Sequence, residues 1–279
     1  MPDRLNHYLQ TWGLSDPQPL AETPTSQIFT VTHGETRVVL KLLTPVGVAD
    51  EKNGAVALRY WDGRGAVRLL REDGQAHLLE YIDGEDLTSL VKKGGDEQAT
   101  AIIADVLNQL HAASANQPPE GLTPLKVWFH ALFKKAEADQ HAGLNSLFVR
   151  AAPVAEELLA HPQGVRVLHG DIHHENIRYH AQRGWLAFDP KGLIGERTYD
   201  AANTFCNPVN MPELVENEAR VLRTAGILGD KMGIPLPRVL AFVYAYTCLS
   251  ASWSLEDGQR TVAEHTLRIA ERVEPHLRR

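Results

Sequence analysis

Between Val165 and Pro190 the chain reads VRVLHGDIHHENIRYHAQRGWLAFDP. This places an aspartate (Asp171), an asparagine five residues on (Asn176) and a second aspartate 18 residues after the first (Asp189) among short apolar runs. VRVL has the composition of a strand, and NIRYHAQRGWLAF supplies two more around Gln182-Arg183-Gly184. The unit is therefore strand, polar loop, hairpin, second carboxylate, and a chain that carries it mixes α and β structure. The three histidines of its loop, His169, His173 and His174, invite a zinc reading, but no HExxH is present, and the side chains of the adjacent His173 and His174 diverge on either a helix or a strand. A serine nucleophile has no support, because no GxSxG occurs anywhere.

The rest of the chain has two textures. SQIFTVTHG and ETRVVLKLL read as a hairpin turning at His33-Gly34-Glu35, and DEKNGAVALRYWDG has partly helical spacing. Gly63 and Gly65 break that helix before two further strand-like runs, AVRLLRED and QAHLLEYI. Residues 1–80 thus form a small, sheet-rich lobe with one helix, 81–86 a connection, and 87–279 a larger, mainly helical lobe. Asp96 can cap a helix whose Ile102, Ile103, Val106, Leu107 and Leu110 follow the 3.6 period. LKVWFHALFKKAEAD, VAEELLAH, PELVENEARVLRTAGILGD and VLAFVYAYTCLSASWSL also read as helices, and ANQPPEGLTP (115–124) reads as a loop.

At 279 residues the chain can bury a sizeable core without covalent staples. Cys206 and Cys248 lie 42 residues apart with no CxxC, which points to a reducing compartment rather than a disulfide framework. The N-terminus MPDRLNHYLQTWG lacks the apolar run of a signal peptide. The apolar stretch from Val239 to Leu255 is marginal for a bilayer span and is expected to be a buried helix. A net charge of -7 disfavours nucleic acid and anionic lipid as partners and suits a cationic one. A cytoplasmic monomer is expected, with no nucleic-acid or membrane partner.

The string His169-Gly170-Asp171 with Asn176 resembles the catalytic loop of kinases, in which the aspartate accepts the proton of the acceptor hydroxyl and the asparagine binds magnesium. That resemblance makes Asp171 the catalytic residue and Asn176 and Asp189 the metal ligands. It also asks for a strand lysine to hold ATP phosphates and a helical carboxylate behind it. Lys41 in VVLKLL meets the first demand; Glu51, with Asp50 and Glu72 as rivals, meets the second. LLEYIDGEDL has the form of a kinase hinge, and by the family register the carbonyl of Glu80 and the amide of Ile82 pair with adenine. Two features depart from protein kinases. TPTSQIF has no glycine, which leaves Ser26 or nearby backbone amides to contact phosphate, and HGD and FDP replace HRD and DFG. No Walker A sequence is present.

These replacements resemble the aminoglycoside phosphotransferase family. GRGAVRLL, LHGDIHHENI, GWLAFDPKGLIGE and VYAYTCLSASW, spread from residue 63 to 253, are similar to the streptomycin 6-kinases of its aminoglycoside/hydroxyurea resistance group. The resemblance implies a two-lobed, protein-kinase-like α+β fold, ATP and Mg2+ as cofactors, and a small cationic aminoglycoside as substrate. The implied reaction moves the γ-phosphoryl of ATP to the 6-hydroxyl of streptomycin; hydroxyurea, another aminoglycoside or a small metabolic alcohol is the alternative acceptor. Streptomycin's guanidinium groups call for carboxylates. The candidates are Glu175, Glu196, Asp200, Glu213, Glu216, Glu256 and Asp257, although Asp200 could instead brace the catalytic loop. His169 is expected to shape that loop, and His173 and His174 to face the acceptor.

Overall fold

A computed structural model describes residues 2–113 and 117–277, without the side chains of Pro2 and Asp50. The smaller lobe holds α1 (Pro2–Trp12), β1 (Leu14–Glu22), β2 (Ser26–His33), β3 (Thr36–Leu43), α2 (Pro45–Trp61), β4 (Leu69–Glu72) and β5 (Ala76–Glu80). Its five strands run antiparallel in the order β1-β2-β3-β5-β4, and β2 and β3 form the expected hairpin with His33 opposite Thr36. The helix α1 and the strand β1 were not expected. Leu5, Tyr8, Leu9 and Trp12 follow the helical period and pack beneath the sheet on Leu14, Val31 and Leu40. Strand β1 contains two prolines and the left-handed Asp16, which an edge strand with register shifts tolerates.

Helix α2 begins at Pro45, five residues before the expected start. Thr44 caps it, its Oγ1 accepting from the Gly47 amide at 3.1 Å, with proline at the first helical position. Two glycines let its backbone rest on the segment that follows Asp189. A Cβ on Gly54 would lie 2.1 Å from the Pro190 carbonyl oxygen, and one on Gly192 2.0 Å from that of Asn53. Lower on α2, Ala57, Leu58 and Trp61 join the core of the larger lobe.

Residues between β5 and α3 (Leu87–Lys92) cross to that lobe without regular structure until Asp86 caps α3. Gly84 has no room for a side chain, since a Cβ would meet the Tyr179 carbonyl oxygen at 2.1 Å. The larger lobe continues through α4 (Asp96–Ala113), β6 (Thr123–Pro124), α5 (Leu125–Trp128), α6 (His130–His141), α7 (Leu147–Ala160), β7 (Val165–Leu168), β8 (Ile177–His180), β9 (Gly184–Ala187) and β10 (Leu193–Glu196). It ends with α8 (Thr198–Ala202), α9 (Pro212–Val215), α10 (Glu218–Met232), α11 (Leu236–Glu256) and α12 (Arg260–Val273). Two expected helices are each divided, at Phe129 and at Glu216–Asn217, where Asn217 caps α10. Asp96 does not cap α4; it lies inside the first turn and accepts from Arg220 at 3.0 Å. Of the expected 115–124 loop, residues 115 and 116 lie outside the described residues, and 123–124 form β6.

Helix α11 explains the apolar stretch: Val239, Leu240, Phe242, Val243, Leu249 and Ala251 are buried among α7, α8 and α12. No helix among the described residues is long and apolar enough to cross a membrane.

Candidate active site

Lys41 projects from the centre of β3, where 5% of it is exposed. Its ammonium donates to Glu51 at 2.7 Å and to Asp189 at 2.5 Å. Burial alone would lower the Lys41 pKa, but the two carboxylates outweigh it and raise the pKa. Burial likewise pushes Asp189 up, and the Lys41 charge and hydrogen bond reverse that and hold it below the ordinary carboxylate range. Of Glu51's rivals, Glu72 pairs instead with Arg59, and the Asp50 side chain lies outside the described atoms.

Asp189 sits in the left-handed region at φ 61°, a conformation a non-glycine residue adopts only when its surroundings enforce it. Here α2 supplies the enforcement through the Gly54–Pro190 and Asn53–Gly192 contacts. One packing event therefore aligns Glu51, on the same helix, with Asp189, and Lys41 bridges them.

The loop carrying Asp171 is held from below by Asp200. Its carboxylate accepts from the backbone amides of His169 (3.0 Å) and Gly170 (2.8 Å) and contacts His111 Nε2 at 2.9 Å. This is the bracing role, and it removes Asp200 from the substrate carboxylates. His169 is fully buried and stacks on Trp61; its Nε2 faces the Phe188 carbonyl at 3.0 Å, and its Nδ1 accepts from the Asp171 amide at 3.2 Å. That pair of partners defines the neutral Nε2–H tautomer, and burial lowers the pKa in agreement. Gly170 has φ +82°, and a Cβ there would reach Leu193 Cδ1 at 2.8 Å, which is why glycine stands before the aspartate.

Asp171 itself is oriented by Asn203, whose Nδ2 donates to Oδ1 at 2.8 Å; Asn203 Oδ1 in turn accepts from Tyr246 at 2.5 Å. Asn203 and Tyr246 did not stand out in the sequence, since neither lies in the catalytic string. Burial raises the Asp171 pKa, against the lowering effect of Lys191 and His169. Asn176 donates from Nδ2 to the Asp171 carbonyl at 3.0 Å, which leaves its Oδ1 as an available oxygen donor.

Asp171 opens onto a cleft of about 450 Å³, lined also by His173, Glu175, Asn203, Asn207 and His265. Of the other carboxylates expected to meet a cation, Glu196 is buried and committed to Arg238 (2.6 Å), Thr198 and the Gln163 amide. Glu256 pairs with Lys134 at 2.8 Å, and Glu216 pairs with His265 and Arg268. Glu213 and Asp257 are exposed and outside the cleft. His174 also departs from expectation. It is fully buried beneath the loop, neither ring nitrogen has a hydrogen-bond partner, and burial lowers its pKa to about 3.

Ser26 is not placed to meet a phosphate: it is completely buried, its hydroxyl 3.1 Å from that of Thr23. At the interlobe connection the Glu80 side chain pairs with Arg183 from the β8–β9 turn, which also donates to the carbonyls of Gly63 and Ala66; the Ile82 side chain enters the core. Among the described residues no group of three or more His, Cys, Asp or Glu is placed to hold a metal ion.

A five-stranded lobe carrying a buried lysine–glutamate pair, joined to a helical lobe carrying the aspartate loop and the second aspartate, is the protein-kinase-like fold of small-molecule phosphotransferases. The solved structures most similar to it include a thermostable mutant of the aminoglycoside phosphotransferase APH(4)-Ia in ternary complex with ADP and hygromycin B. It is 15% identical, with a TM-score of 0.64 and coverage of 96% of this chain and 97% of that one. The chain belongs to the aminoglycoside/hydroxyurea antibiotic resistance kinase family, whose model matches residues 11–258. Its relatives include a streptomycin 3''-kinase of Klebsiella pneumoniae, 39% identical over 90% of this chain and 92% of the relative. A streptomycin 6-kinase of Streptomyces griseus is 30% identical, over 85% of this chain and 76% of the relative.

Proposed function

We propose that the protein is an ATP-dependent O-phosphotransferase that inactivates streptomycin by phosphorylating one of its hydroxyls. The observation that carries this reading is Asp171, with one carboxylate oxygen fixed by Asn203 and the group opening onto an acidic cleft. A cleft walled by Asp171 and Glu175 suits a polycationic acceptor, and its volume exceeds what hydroxyurea needs.

In this reading the carbonyl of Glu80 and the amide of Ile82 pair with adenine, and Lys41, oriented by Glu51, binds the α- and β-phosphates. Asn176 Oδ1 and the Asp189 carboxylate offer hard oxygen donors, the chemistry Mg2+ takes when nucleotide phosphates complete its shell. Once bound, the ion neutralises charge on the phosphates. Asp171 accepts a hydrogen bond from the acceptor hydroxyl, and then its proton, as that oxygen bonds to the γ-phosphorus and the bond to ADP breaks. A carboxylate whose pKa burial has raised is the better proton acceptor. Much of the rate in such a site comes from positioning and charge complementarity.

Motif resemblance favours the 6-hydroxyl, whereas the 39% identical relative favours the 3''-hydroxyl. Incubation with Mg-ATP and streptomycin followed by phosphorus–proton correlation NMR assigns the position. Turnover of hydroxyurea or of another aminoglycoside, with none of streptomycin, overturns the substrate.

A further inference from the structure

The Asp171 loop, residues 171–176, holds no lysine or arginine, and Lys41, paired with Glu51 and Asp189, is assigned above to the α- and β-phosphates. The loop position two residues after Asp171 is His173, whose ring accepts from the Glu175 amide and whose pKa is lowered by burial, so it stays neutral. Yet a phosphoryl group in transfer spreads negative charge over its three equatorial oxygens, and sites that transfer it place a cation against them.

Lys191 is so placed. It follows Asp189 by two residues, and its Nζ lies 4.0 Å from Asp171 Oδ2, its one ion-pair partner among the described residues. Its charge opposes the rise that burial gives the Asp171 pKa and adds to the fall that Lys41 gives that of Asp189. Its backbone is pinned: the Lys191 amide donates to the His169 carbonyl at 2.7 Å, and the next residue, Gly192, lies against Asn53. The absence of a side chain on Gly170 leaves room for the Lys191 stem, whose Cβ would be 3.1 Å from an added methyl. The side chain is partly exposed and reaches the site from a rigid base, as a group that contacts a bound nucleotide must.

We propose that Lys191 is a catalytic residue that binds the transferred γ-phosphoryl group, taking the place of a cation the Asp171 loop lacks. This rests on the phosphotransferase reading above. The direct probe is calorimetric binding of Mg-ADP and of a non-hydrolysable Mg-ATP analogue to the wild type, Lys191→Met and Lys191→Arg, with melting temperatures measured alongside. The proposal expects Lys191→Met to bind Mg-ADP as the wild type does but to lose about tenfold or more in analogue affinity, with Lys191→Arg recovering part of it. Turnover of Lys191→Met should fall about 10²- to 10³-fold, the usual loss for one preorganised charge partner. An unchanged ratio of analogue to ADP affinity overturns the proposal, as does an equal loss of both affinities together with a lowered melting temperature. The binding arms need no acceptor, so a wild type that binds nucleotide but ignores streptomycin sinks the substrate assignment and leaves the Lys191 result to stand by itself. A wild type that binds neither nucleotide overturns both.

Discussion

Gly54 stands in the interior of α2, where helix propensity alone predicts that alanine is better by about 1 kcal/mol. The packing reverses that sign. A Cβ at Gly54 would sit 2.1 Å from the Pro190 carbonyl oxygen, a backbone atom that cannot swing aside as a flexible side chain would. Overpacking of this kind costs about 1–3 kcal/mol, and more where backbone must move. The net expectation for Gly54→Ala is a loss of up to about 2 kcal/mol, at roughly 2–4 °C in melting temperature per kcal/mol for a chain of this size. Since Pro190 adjoins Asp189, turnover should fall as well. Gly226 is the internal control: it also lies within a helix, but nothing stands within 4 Å of its added Cβ, so Gly226→Ala should raise the melting temperature slightly. Scanning fluorimetry of the two variants decides the matter. Stabilisation by both would refute the argument that α2 is seated directly on the Asp189 segment.

Other consequences concern charge and orientation. His77 is buried on β5 opposite Lys41, and burial, helped by the Lys41 and Arg59 charges, lowers its pKa to about 4. The unfolded chain takes up this proton near 6.5, so the stability due to a neutral His77 is full above that pH. It is lost as pH falls toward 4, by up to roughly 3 kcal/mol, and His77→Gln should flatten melting temperature against pH in that window. Glu196→Ala leaves Arg238 without its carboxylate and should destabilise by about 3–5 kcal/mol in urea unfolding; an effect under 1 kcal/mol would contradict its structural assignment. Asn203→Ala frees Asp171 Oδ1 and should lower kcat about 10- to 100-fold with little change in the streptomycin KM, whereas a change in KM alone would make it a substrate contact.

The sequence carried the parts of this fold that repeat a local rule. The β2–β3 hairpin, the strands of the Asp171–Asp189 unit and the buried α11 all follow from alternation, turn residues or apolar length. Strand β1 was hidden because its prolines and Asp16 break the alternation that marks a strand, which its edge position permits. The division at Asn217 depends on a side-chain cap winning over continued apolar spacing, whereas Phe129 divides its helix with no capping side chain to mark the place. Around the site, Lys41, Glu51 and Asp189 were named separately from motif resemblance, but their convergence depends on Gly54 and Gly192, whose value shows only when two distant backbones touch. Carboxylates were the least legible group. Glu196 and Asp200 look like Glu175 in sequence, and only burial and partners tell a brace from a wall of the cleft.

Streptomycin-dependent ADP release by the wild type and by Asp171→Asn, measured at saturating Mg-ATP, shows whether Asp171 takes the acceptor's proton. The substitution keeps the shape of the side chain and its place beside Asn203 while removing the proton acceptor. The wild type should release ADP steadily only when streptomycin is present, and the variant should be slower by about 10²- to 10⁴-fold with nucleotide binding retained. Comparable turnover by the two proteins would contradict that role for Asp171.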